Sequence, residues 1–236
     1  MHPLIITLDG PAGSGKSTVA RRLAGQLGVT FLDTGAMYRG VCAACLDAGI
    51  NPATQSDAVI RLARQCRLWF DWSADPPRLN IDAGEASWDI SDRLRDHDVT
   101  ASVSDVASMP EVRRELVKMQ RQIGAERLRL VTDGRDQGSV VFPDAQIKFF
   151  LDADLSARAR RRAHETRQAG RAADDQVILD DLRHRDRRDR TRADGPLICP
   201  DDAIRIDTTD LSIDQVVQRL AGLIKERVPG AAKGGP

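Results

Sequence analysis

The fold is decided by the stretch that runs from residue 4 to residue 18, Leu4-Ile5-Ile6-Thr7-Leu8-Asp9-Gly10-Pro11-Ala12-Gly13-Ser14-Gly15-Lys16-Ser17-Thr18. Its first residues are typical of a buried strand, and the apolar residues that follow it have helical spacing. Between them lies G-x-x-x-x-G-K-S, whose glycines let consecutive backbone N–H groups surround a phosphate at a helix N-terminus. The order of strand, loop and helix predicts a phosphate-binding loop.

This motif predicts which groups bind a nucleoside triphosphate and Mg²⁺. Lys16 is expected to reach the β- and γ-phosphates, and the Ser17 hydroxyl to bind Mg²⁺. The remaining nucleotide contacts are expected from the backbone of the loop, which comprises Gly10, Pro11, Ala12, Gly13, Ser14, Gly15, Lys16, Ser17 and Thr18.

The composition is that of a globular chain without net charge. Of its 236 residues 41% are apolar and 30% charged, and the formal net charge is zero. This length allows one α/β domain with an inserted subdomain, or two small domains. Zero net charge gives no global signal for nucleic-acid binding, and no apolar run approaches the length of a membrane helix. No signal pattern precedes the first strand, so we expect a cytoplasmic protein.

Arginines are concentrated in one region of this neutral chain. Residues 156–192 contain twelve Arg and seven acidic residues. Arg binds phosphates through two parallel hydrogen bonds, which makes it suited to anionic substrates. In a chain that already has a phosphate-binding loop, this excess predicts a second set of phosphate contacts.

Strand and helix patterns alternate along most of the chain. Strands are predicted at about 4–8, 29–32, 128–132, 147–151 and 203–206, with a turn at 33–35. This alternation predicts an α/β fold with a five-stranded parallel sheet flanked by helices, whose ligands bind at the carboxyl ends of the strands. Residues 9–17, 33–39 and 133–136 are then expected at one edge of the sheet.

A different pattern interrupts the alternation between residues 67 and 91. Three short strand candidates, at 67–72, 78–82 and 86–90, are separated by turn-prone residues. Closely spaced strands with short turns pair antiparallel. The sequence therefore predicts a small antiparallel β subdomain inserted into the parallel fold.

The polar residues at the strand ends favour phosphoryl transfer between two anionic nucleotides. The guanine-reading sequence Asn-Lys-x-Asp of a signalling GTPase is missing. Arg39, Arg135 and the helices from 158 to 192 can instead face a second phosphate, and such a reaction depends on positioning and electrostatics. Asp133 is the candidate for the carboxylate that orients Mg²⁺ and its waters; the alternative is an Asp that caps the turn before Gly134.

The segment 185–192 places charged residues on one helical face. Positions 185, 188, 189 and 192 are separated by three or four residues, so they share a side of a helix. This face can contribute to the second phosphate site, or it can be a solvated ladder of Arg–Asp pairs, which are common and weak on protein surfaces.

Five blocks in this order, covering nearly the whole chain, resemble the bacterial cytidylate kinase family. They are 10–18, 32–39, 133–145, 185–192 and 206–212. The resemblance implies a P-loop kinase fold with a helical lid at about 158–175. It implies a core of 1–35 and 125–236 for the triphosphate, and a monophosphate-binding subdomain of 36–124 that includes the sheet at 67–91. The implied activity is in-line phosphoryl transfer from ATP, with Mg²⁺, to CMP and dCMP.

The resemblance also implies individual acceptor contacts. Arg39 and Arg135 correspond to residues that hold the CMP phosphate. The other implied acceptor contacts comprise the cytosine contacts Thr34, Arg113 and Arg192, the sugar contacts Ser104, Arg185 and Asp189, and the substrate-binding residue Asp136. The family often has Ser where this chain has Thr34, and Gln137 stands where Met or Ile is expected.

The resemblance also implies the residues that contact ATP and the catalytic residues. Arg158 is implied near the adenine of ATP, and Arg161 or Arg162 near its phosphates. The implied catalytic residues are Lys16, Arg39, Asp133 and Arg135, with Ser17 and Asp133 at the metal. The resemblance further implies a monomer whose partners are small molecules, with neither nucleic acid nor membrane.

Two alternatives stay open at this stage. One is a P-loop kinase that acts on another nucleotide or on a small metabolite. The other is a regulatory or nucleic-acid-associated protein that uses its Arg helices as a basic patch. The interleaved Asp residues and the zero net charge argue against such a patch.

Overall fold

The structure is a computed structural model that describes residues 3–168, 170 and 172–229 of the chain. The chain divides into two compact units. The first unit comprises Met1–Asp33 and Gly124–Pro236, and the second comprises Thr34–Ile123. The segment predicted as a lid, 158–175, includes residues 169 and 171, which lie outside the described residues.

The described residues form eight strands and eight helices, with short 3₁₀ and π turns between some of them. The strands are β1 (Leu4–Asp9), β2 (Thr30–Asp33), β3 (Cys66–Asp71), β4 (Arg78–Ala83), β5 (Ala86–Asp89), β6 (Arg129–Gly134), β7 (Ile147–Asp152) and β8 (Ile204–Asp207). The helices are α1 (Lys16–Leu27), α2 (Thr34–Asp47), α3 (Ser56–Gln65), α4 (His97–Ser108), α5 (Pro110–Arg127), α6 (Leu155–Gln168), α7 (Asp175–Thr191) and α8 (Ile213–Arg227).

The first unit contains a five-stranded sheet in the order β2-β6-β1-β7-β8. Every neighbouring pair is parallel. Strands β6 and β7 are buried along almost their whole length, as expected when helices cover both faces of a parallel sheet. The predicted five-stranded parallel sheet is confirmed.

Helices α1 and α8 bury their apolar faces against this sheet. One core cluster joins residues of both helices with residues of four strands: Leu4, Ile6, Leu8, Val19, Ala20, Leu23, Ala24, Leu27, Val131, Ile147, Phe149, Leu151, Ile206, Val216, Val217, Leu220 and Ile224. Ser212 fixes the start of α8 because its hydroxyl accepts from the backbone N–H of Gln215, whose side chain accepts from Ser212 N–H in return. The core thus holds the first turn of α1 at the end of β1.

Helices α6 and α7 pack against the phosphate-binding loop. A smaller apolar cluster joins Ala12 of the loop with Ala159 of α6 and Leu182 of α7. Asp174 is the N-cap residue that precedes α7, and its carboxylate accepts from the backbone N–H groups of Gln176 and Val177. In the part of the chain that is described, no helix has the length and apolar character needed to span a bilayer.

The second unit contains the predicted antiparallel sheet, in the order β3-β4-β5. Side chains in β3 alternate, with Cys66, Leu68 and Phe70 buried. This period of two is what a sheet with one covered face requires. The inserted sheet is therefore confirmed, within two residues of each expected boundary. The turn predicted at 33–35 is wrong, because α2 begins at Thr34 directly after β2, and Thr34 and Gly35 are its first two residues.

Candidate nucleotide-binding site

The phosphate-binding loop lies between the last residue of β1 and the first residue of α1. Gly10 has a φ of +147°, and a Cβ added there would lie 2.0 Å from the carbonyl oxygen of Leu151. Gly13 has a φ of +76°, in the region that L side chains rarely adopt. The backbone path of the loop therefore requires glycine at both positions.

The Lys16 side chain is buried inside this loop. Its Nζ donates to the carbonyl oxygen of Pro11 at 2.6 Å and to the hydroxyl of Ser14 at 3.2 Å. Burial and the nearby Arg135 guanidinium lower the pKa of Lys16 well below its ordinary value, against the opposing effect of Asp133, Asp9 and Asp189. An anion bound in the loop favours the charged ammonium, because opposite charges within a few ångströms stabilise each other.

Ser17 and Asp133 are joined by a hydrogen bond across the sheet edge. The Ser17 hydroxyl donates to the Asp133 carboxylate at 2.5 Å, although the two residues are 116 positions apart. Asp133 lies opposite Leu8 in one ladder and opposite Asp33 in the other. Burial, and then the Asp33 carboxylate, raise the pKa of Asp133 to about 6, while the Ser17 hydroxyl opposes the rise.

This pair has the chemistry that Mg²⁺ requires. A hydroxyl and a carboxylate are hard oxygen donors, and Mg²⁺ is usually bound by one or two such groups together with substrate phosphates and waters. Among the described residues no cluster of three or more His, Cys, Asp and Glu could hold a metal ion. The oxygens of Ser17 and Asp133 suit a cation of this kind, which takes most of its ligands from a nucleotide and water.

A second group of charges follows β6. We call it the guanidinium cluster: Arg135, Asp136, Asp189 and Arg192. The Arg135 Nε donates to the Asp189 carboxylate at 2.8 Å, across 54 positions of sequence. Arg192 lies 3.6 Å from Asp189 and 3.9 Å from Asp136, measured between guanidinium nitrogen and carboxylate oxygen. The cluster is thus formed by the end of β6 and the end of α7.

Burial and mutual attraction determine the charge states in the cluster. Burial acts to raise the pKa of Asp189, but Arg135 and Arg192 outweigh it and lower that pKa below its ordinary value. Burial likewise opposes the charge on Arg135, but Asp189 raises the pKa of this guanidinium. The Asp189 side chain is 20% exposed and Arg135 is 23% exposed. Both charges therefore persist at neutral pH, at a place where a phosphate can reach them.

The helical face predicted at 185–192 is only partly buried. Arg185, Asp189 and Arg192 are half-buried, while Arg188 is exposed. Arg185 contributes to lowering the pKa of Asp189, so it lies within electrostatic range of the guanidinium cluster. The structure therefore brings Arg185, Asp189 and Arg192 together with Arg135 and Asp136.

Asp9 holds the segment that follows Arg135, a contact that sequence reasoning missed. Its carboxylate accepts from the backbone N–H of Gln137 at 2.9 Å and of Gly138 at 2.7 Å. The Gln137 side chain in turn accepts from the Thr132 hydroxyl at 3.0 Å. Burial raises the pKa of Asp9 to about 7, against these two backbone hydrogen bonds. The only available signal was an Asp at the carboxyl end of a buried strand.

The three arginines predicted to contact ATP lie on α6 in different surroundings. Arg158 is buried and forms an ion pair with Asp186 at 2.7 Å. The Arg161 guanidinium donates to the backbone carbonyls of Thr208 and Thr209 in the loop after β8. Arg162 is partly exposed and lies 3.4 Å from Glu165. Their predicted contacts with adenine and phosphates stay predictions.

Four predicted acceptor residues belong to the second unit. Thr34 is the first residue of α2 and is buried, and Arg39 is half-buried one turn later. Ser104 is half-buried on α4. Arg113 on α5 is buried, with its guanidinium carbon 5.6 Å from the centroid of the Tyr38 ring. The joint role of these residues and the first unit stays a prediction.

Comparison with known proteins identifies the family. The family model described as cytidylate kinase matches residues 6–226. The cytidylate kinase of Mycobacterium avium is 44% identical over 224 residues, which cover 95% of this chain and 96% of that protein. The cytidylate kinase of Caldanaerobacter subterraneus subsp. tengcongensis is 44% identical over 225 residues, with the same coverage. A solved gluconokinase from Sinorhizobium meliloti 1021 has a TM-score of 0.48 and 15% identity, covering 95% of this chain and 94% of its own.

The family model spans nearly the whole chain, and the similarity to the two curated relatives extends over both units of the structure. The predicted resemblance is thereby confirmed, and the chain belongs to the cytidylate kinase family.

Proposed function

We propose that this protein transfers the γ-phosphoryl group of ATP to CMP and dCMP, giving CDP or dCDP and ADP. The observation that carries the proposal is the end of β6, where Asp133 and Arg135 are separated by one residue. Asp133 accepts from Ser17 of the phosphate-binding loop, and Arg135 belongs to the guanidinium cluster. One strand end therefore joins a group suited to the donor phosphates with a group suited to the acceptor phosphate.

The reaction requires no general base. The second pKa of a phosphate monoester is about 6, so the acceptor oxygen is already largely deprotonated at neutral pH. This oxygen attacks the γ-phosphorus in line, the bond from that phosphorus to the bridging oxygen breaks, and ADP leaves with the bonding electrons. Lys16 stabilises negative charge on the transferring group, and the Arg135 guanidinium orients the acceptor phosphate.

Ser17 and Asp133 are the residues that we assign to Mg²⁺. The hydroxyl is a direct ligand, and the carboxylate holds the Ser17 hydroxyl and waters in place. When bound, Mg²⁺ supplies positive charge that neutralises the phosphate oxygens. Ionised Asp133 is the required form, and a nearby cation favours this form.

Base selection is assigned to residues that read the cytosine edge. Cytosine presents a donor at N4 and acceptors at N3 and O2, which a hydroxyl and guanidinium groups can match. We assign these contacts to Thr34, Arg113 and Arg192. Uracil reverses the pattern at N3 and at position 4, so it would leave a group of the site without a partner. Ser104, Arg185 and Asp189 are assigned to the sugar, and Asp136, which lies 3.9 Å from Arg192, to the bound acceptor.

The proposal also assigns roles to the subdomain and the lid. Residues 36–124 bind the monophosphate, and Arg39 lies at the CMP phosphate. Residues of about 158–175 close over ATP. Arg158 then lies near adenine, and Arg161 or Arg162 lies near the ATP phosphates. Closure excludes water, which would otherwise hydrolyse ATP. We further propose that the protein acts in the cytoplasm, where its nucleotide substrates occur, and that it is a monomer, as the family resemblance implies.

An acceptor panel tests the proposed function. ADP release is measured by a coupled assay with CMP, dCMP, UMP, AMP, GMP and dTMP at equal concentrations. We expect CMP and dCMP to give the highest kcat/KM. A preference for an acceptor without cytosine would overturn the proposal, and activity restricted to a metabolite alcohol would assign the chain to another kinase reaction.

A further inference from the structure

The backbone carbonyls of the phosphate-binding loop that point away from the bound anion also need hydrogen-bond donors. When successive N–H groups face an anion, carbonyls of the same backbone face the protein, and a buried carbonyl needs a donor. Ala12 is only 4% exposed. Its carbonyl oxygen accepts from the Arg158 guanidinium at 3.0 Å. Arg158 therefore supplies the hydrogen bond that this buried part of the loop requires.

Arg158 is fixed at three points around the loop. Its Nε donates to the carbonyl of Ala153, just after β7, at 2.9 Å. A Cβ added to Gly13 would lie 3.3 Å from the Cβ of Arg158, so loop and side chain are already in close contact. The remaining guanidinium nitrogen pairs with the Asp186 carboxylate at 2.7 Å.

The ion pair between Arg158 and Asp186 is almost entirely buried. The two side chains are 5% and 6% exposed. Removing one partner of such a pair leaves an uncompensated buried charge, which is strongly destabilising. Arg190 also lies 3.9 Å from the Asp186 carboxylate, but its side chain is 51% exposed. Asp186 is therefore the carboxylate that keeps the Arg158 guanidinium beneath the loop.

Asp186 and Asp189 on α7 have different direct partners, although the Asp186 charge also helps to raise the pKa of Arg135. Asp189 pairs with Arg135 of the guanidinium cluster, and Asp186 pairs with Arg158 under the phosphate-binding loop. We propose that Asp186 is a positioning residue for the donor site, which acts through Arg158 to hold the Ala12 carbonyl and the loop in its binding conformation. The identity of the ligand as ATP rests on the proposed function; the contact between Asp186, Arg158 and the loop does not.

Direct titration of ATP with Mg²⁺, without any acceptor, tests this role. We expect Asp186→Asn to weaken ATP binding about tenfold or more and to raise KM for ATP to match, while KM for CMP changes less than twofold. The matched control is Asp180→Asn on the same helix, because Asp180 lies in exposed contacts with Gln176 and Arg183. This control is expected to bind ATP as the wild type does. Asp186→Glu, which retains the charge, is expected to recover part of the affinity.

A double variant separates positioning from stability. Asp186→Leu with Arg158→Met replaces the ion pair by apolar side chains, and such replacements are often neutral or stabilising. We expect this variant to melt near the wild-type temperature and still to bind both ATP and inorganic triphosphate, which has no adenine, about tenfold more weakly, because Ala12 lacks its donor. Wild-type ATP affinity in this variant would overturn the proposal, as would an equal loss of ATP and CMP affinity in Asp186→Asn.

The titration also distinguishes this proposal from the proposed function. A wild-type protein that binds ATP but does not phosphorylate CMP would overturn the function, while the role of Asp186 would still be decided by the variants. A wild-type protein that does not bind ATP would overturn both.

Discussion

The phosphate-binding loop and the guanidinium cluster are both suited to anions, yet they are built differently. The loop is a continuous stretch in which glycine conformations and one buried lysine make the site. The cluster uses side chains from the end of β6 and from the end of α7, and its central pair joins residues 54 positions apart. An anion site made of backbone is a local property of sequence, whereas one made of side chains exists only once the fold has formed.

The two regions also differ in how their positive groups are balanced. Arg135 and Arg192 are already paired with Asp189, and Arg192 also lies near Asp136. In the proposed reaction an acceptor phosphate would share these guanidinium groups with the carboxylates, and the contacts with the carboxylates fix the orientation of the guanidinium groups beforehand. The loop instead offers N–H groups and the Lys16 ammonium. We expect the cluster to determine selectivity and the loop to bind any triphosphate of suitable shape.

Replacing Lys16 by Ala is expected to have the largest effect, because it removes the one buried cation of the loop. A positioned charge at the transferring group contributes several kcal/mol to transition-state stabilisation, so we expect kcat to fall about 10²- to 10³-fold. The measurement is steady-state ADP release at saturating ATP and CMP. Lys118→Ala is the control, since Lys118 is exposed and pairs with Glu115. A kcat within a few-fold of wild type would show that the loop works through its backbone alone.

Asp133→Asn tests whether Asp133 acts on the Mg²⁺ site of the loop and not on the acceptor site of the guanidinium cluster. Asn keeps the size of the side chain and can still accept from the Ser17 hydroxyl, but it removes the negative charge. Outer contacts of this kind are worth about 10- to 100-fold in metal affinity or activity. We expect the Mg²⁺ concentration for half-maximal rate to rise by that factor, with KM for CMP unchanged.

The control for this variant is Asp152→Asn, at the carboxyl end of β7, where the carboxylate pairs with Arg205. Its Mg²⁺ dependence should equal that of the wild type. If Asp133→Asn instead raises KM for CMP and leaves the Mg²⁺ dependence unchanged, Asp133 belongs with the acceptor groups.

Asp9 is expected to give a smaller, pH-dependent effect on stability. Burial raises its pKa from 3.8 to about 7, so between these values the folded protein holds a proton that the unfolded chain has lost. Its stabilising contribution is therefore complete below pH 4 and is lost as the pH rises to 7. Relative to Asp9→Asn, the unfolding free energy of the wild type should fall by about 1.4 kcal/mol per pH unit in this window.

Urea unfolding of both proteins from pH 4 to pH 8 measures this difference. Asn does not titrate, so the variant provides the baseline for all other groups. Parallel curves for the two proteins would contradict the raised pKa.

The local character of the loop explains why it could be predicted from sequence. Strand, glycine loop and helix are contiguous, and the glycines at 10 and 13 occupy the conformations that the motif requires. The antiparallel sheet was predictable for a similar reason, since its three strands follow one another along the chain with short turn-prone segments between them. The five-stranded order, with β6 between β2 and β1, follows from long-range packing and had no local signal.

Contacts between distant side chains could not be predicted in the same way. Nothing in the Arg-rich sequence shows that Arg158 pairs with Asp186 beneath the loop rather than with any other acid nearby. The contacts of Asp9 with Gln137 and Gly138 likewise depend on how β1 and β6 pair. The start of α2 at Thr34 was missed because a Thr-Gly pair is also typical of a turn.

The central claim is that backbone binds the donor and guanidinium groups bind the acceptor. Calorimetric titration of ATP and of CMP into two variants, Gly13→Ala and Arg135→Ala, tests it most directly. Gly13→Ala strains the loop and should weaken ATP binding about tenfold or more, with CMP unaffected. Arg135→Ala removes charged hydrogen bonds worth about 1.5–3 kcal/mol and should weaken CMP binding about 10- to 150-fold, with ATP unaffected. Equal loss of both ligands in both variants, or the reverse pattern, would contradict the account.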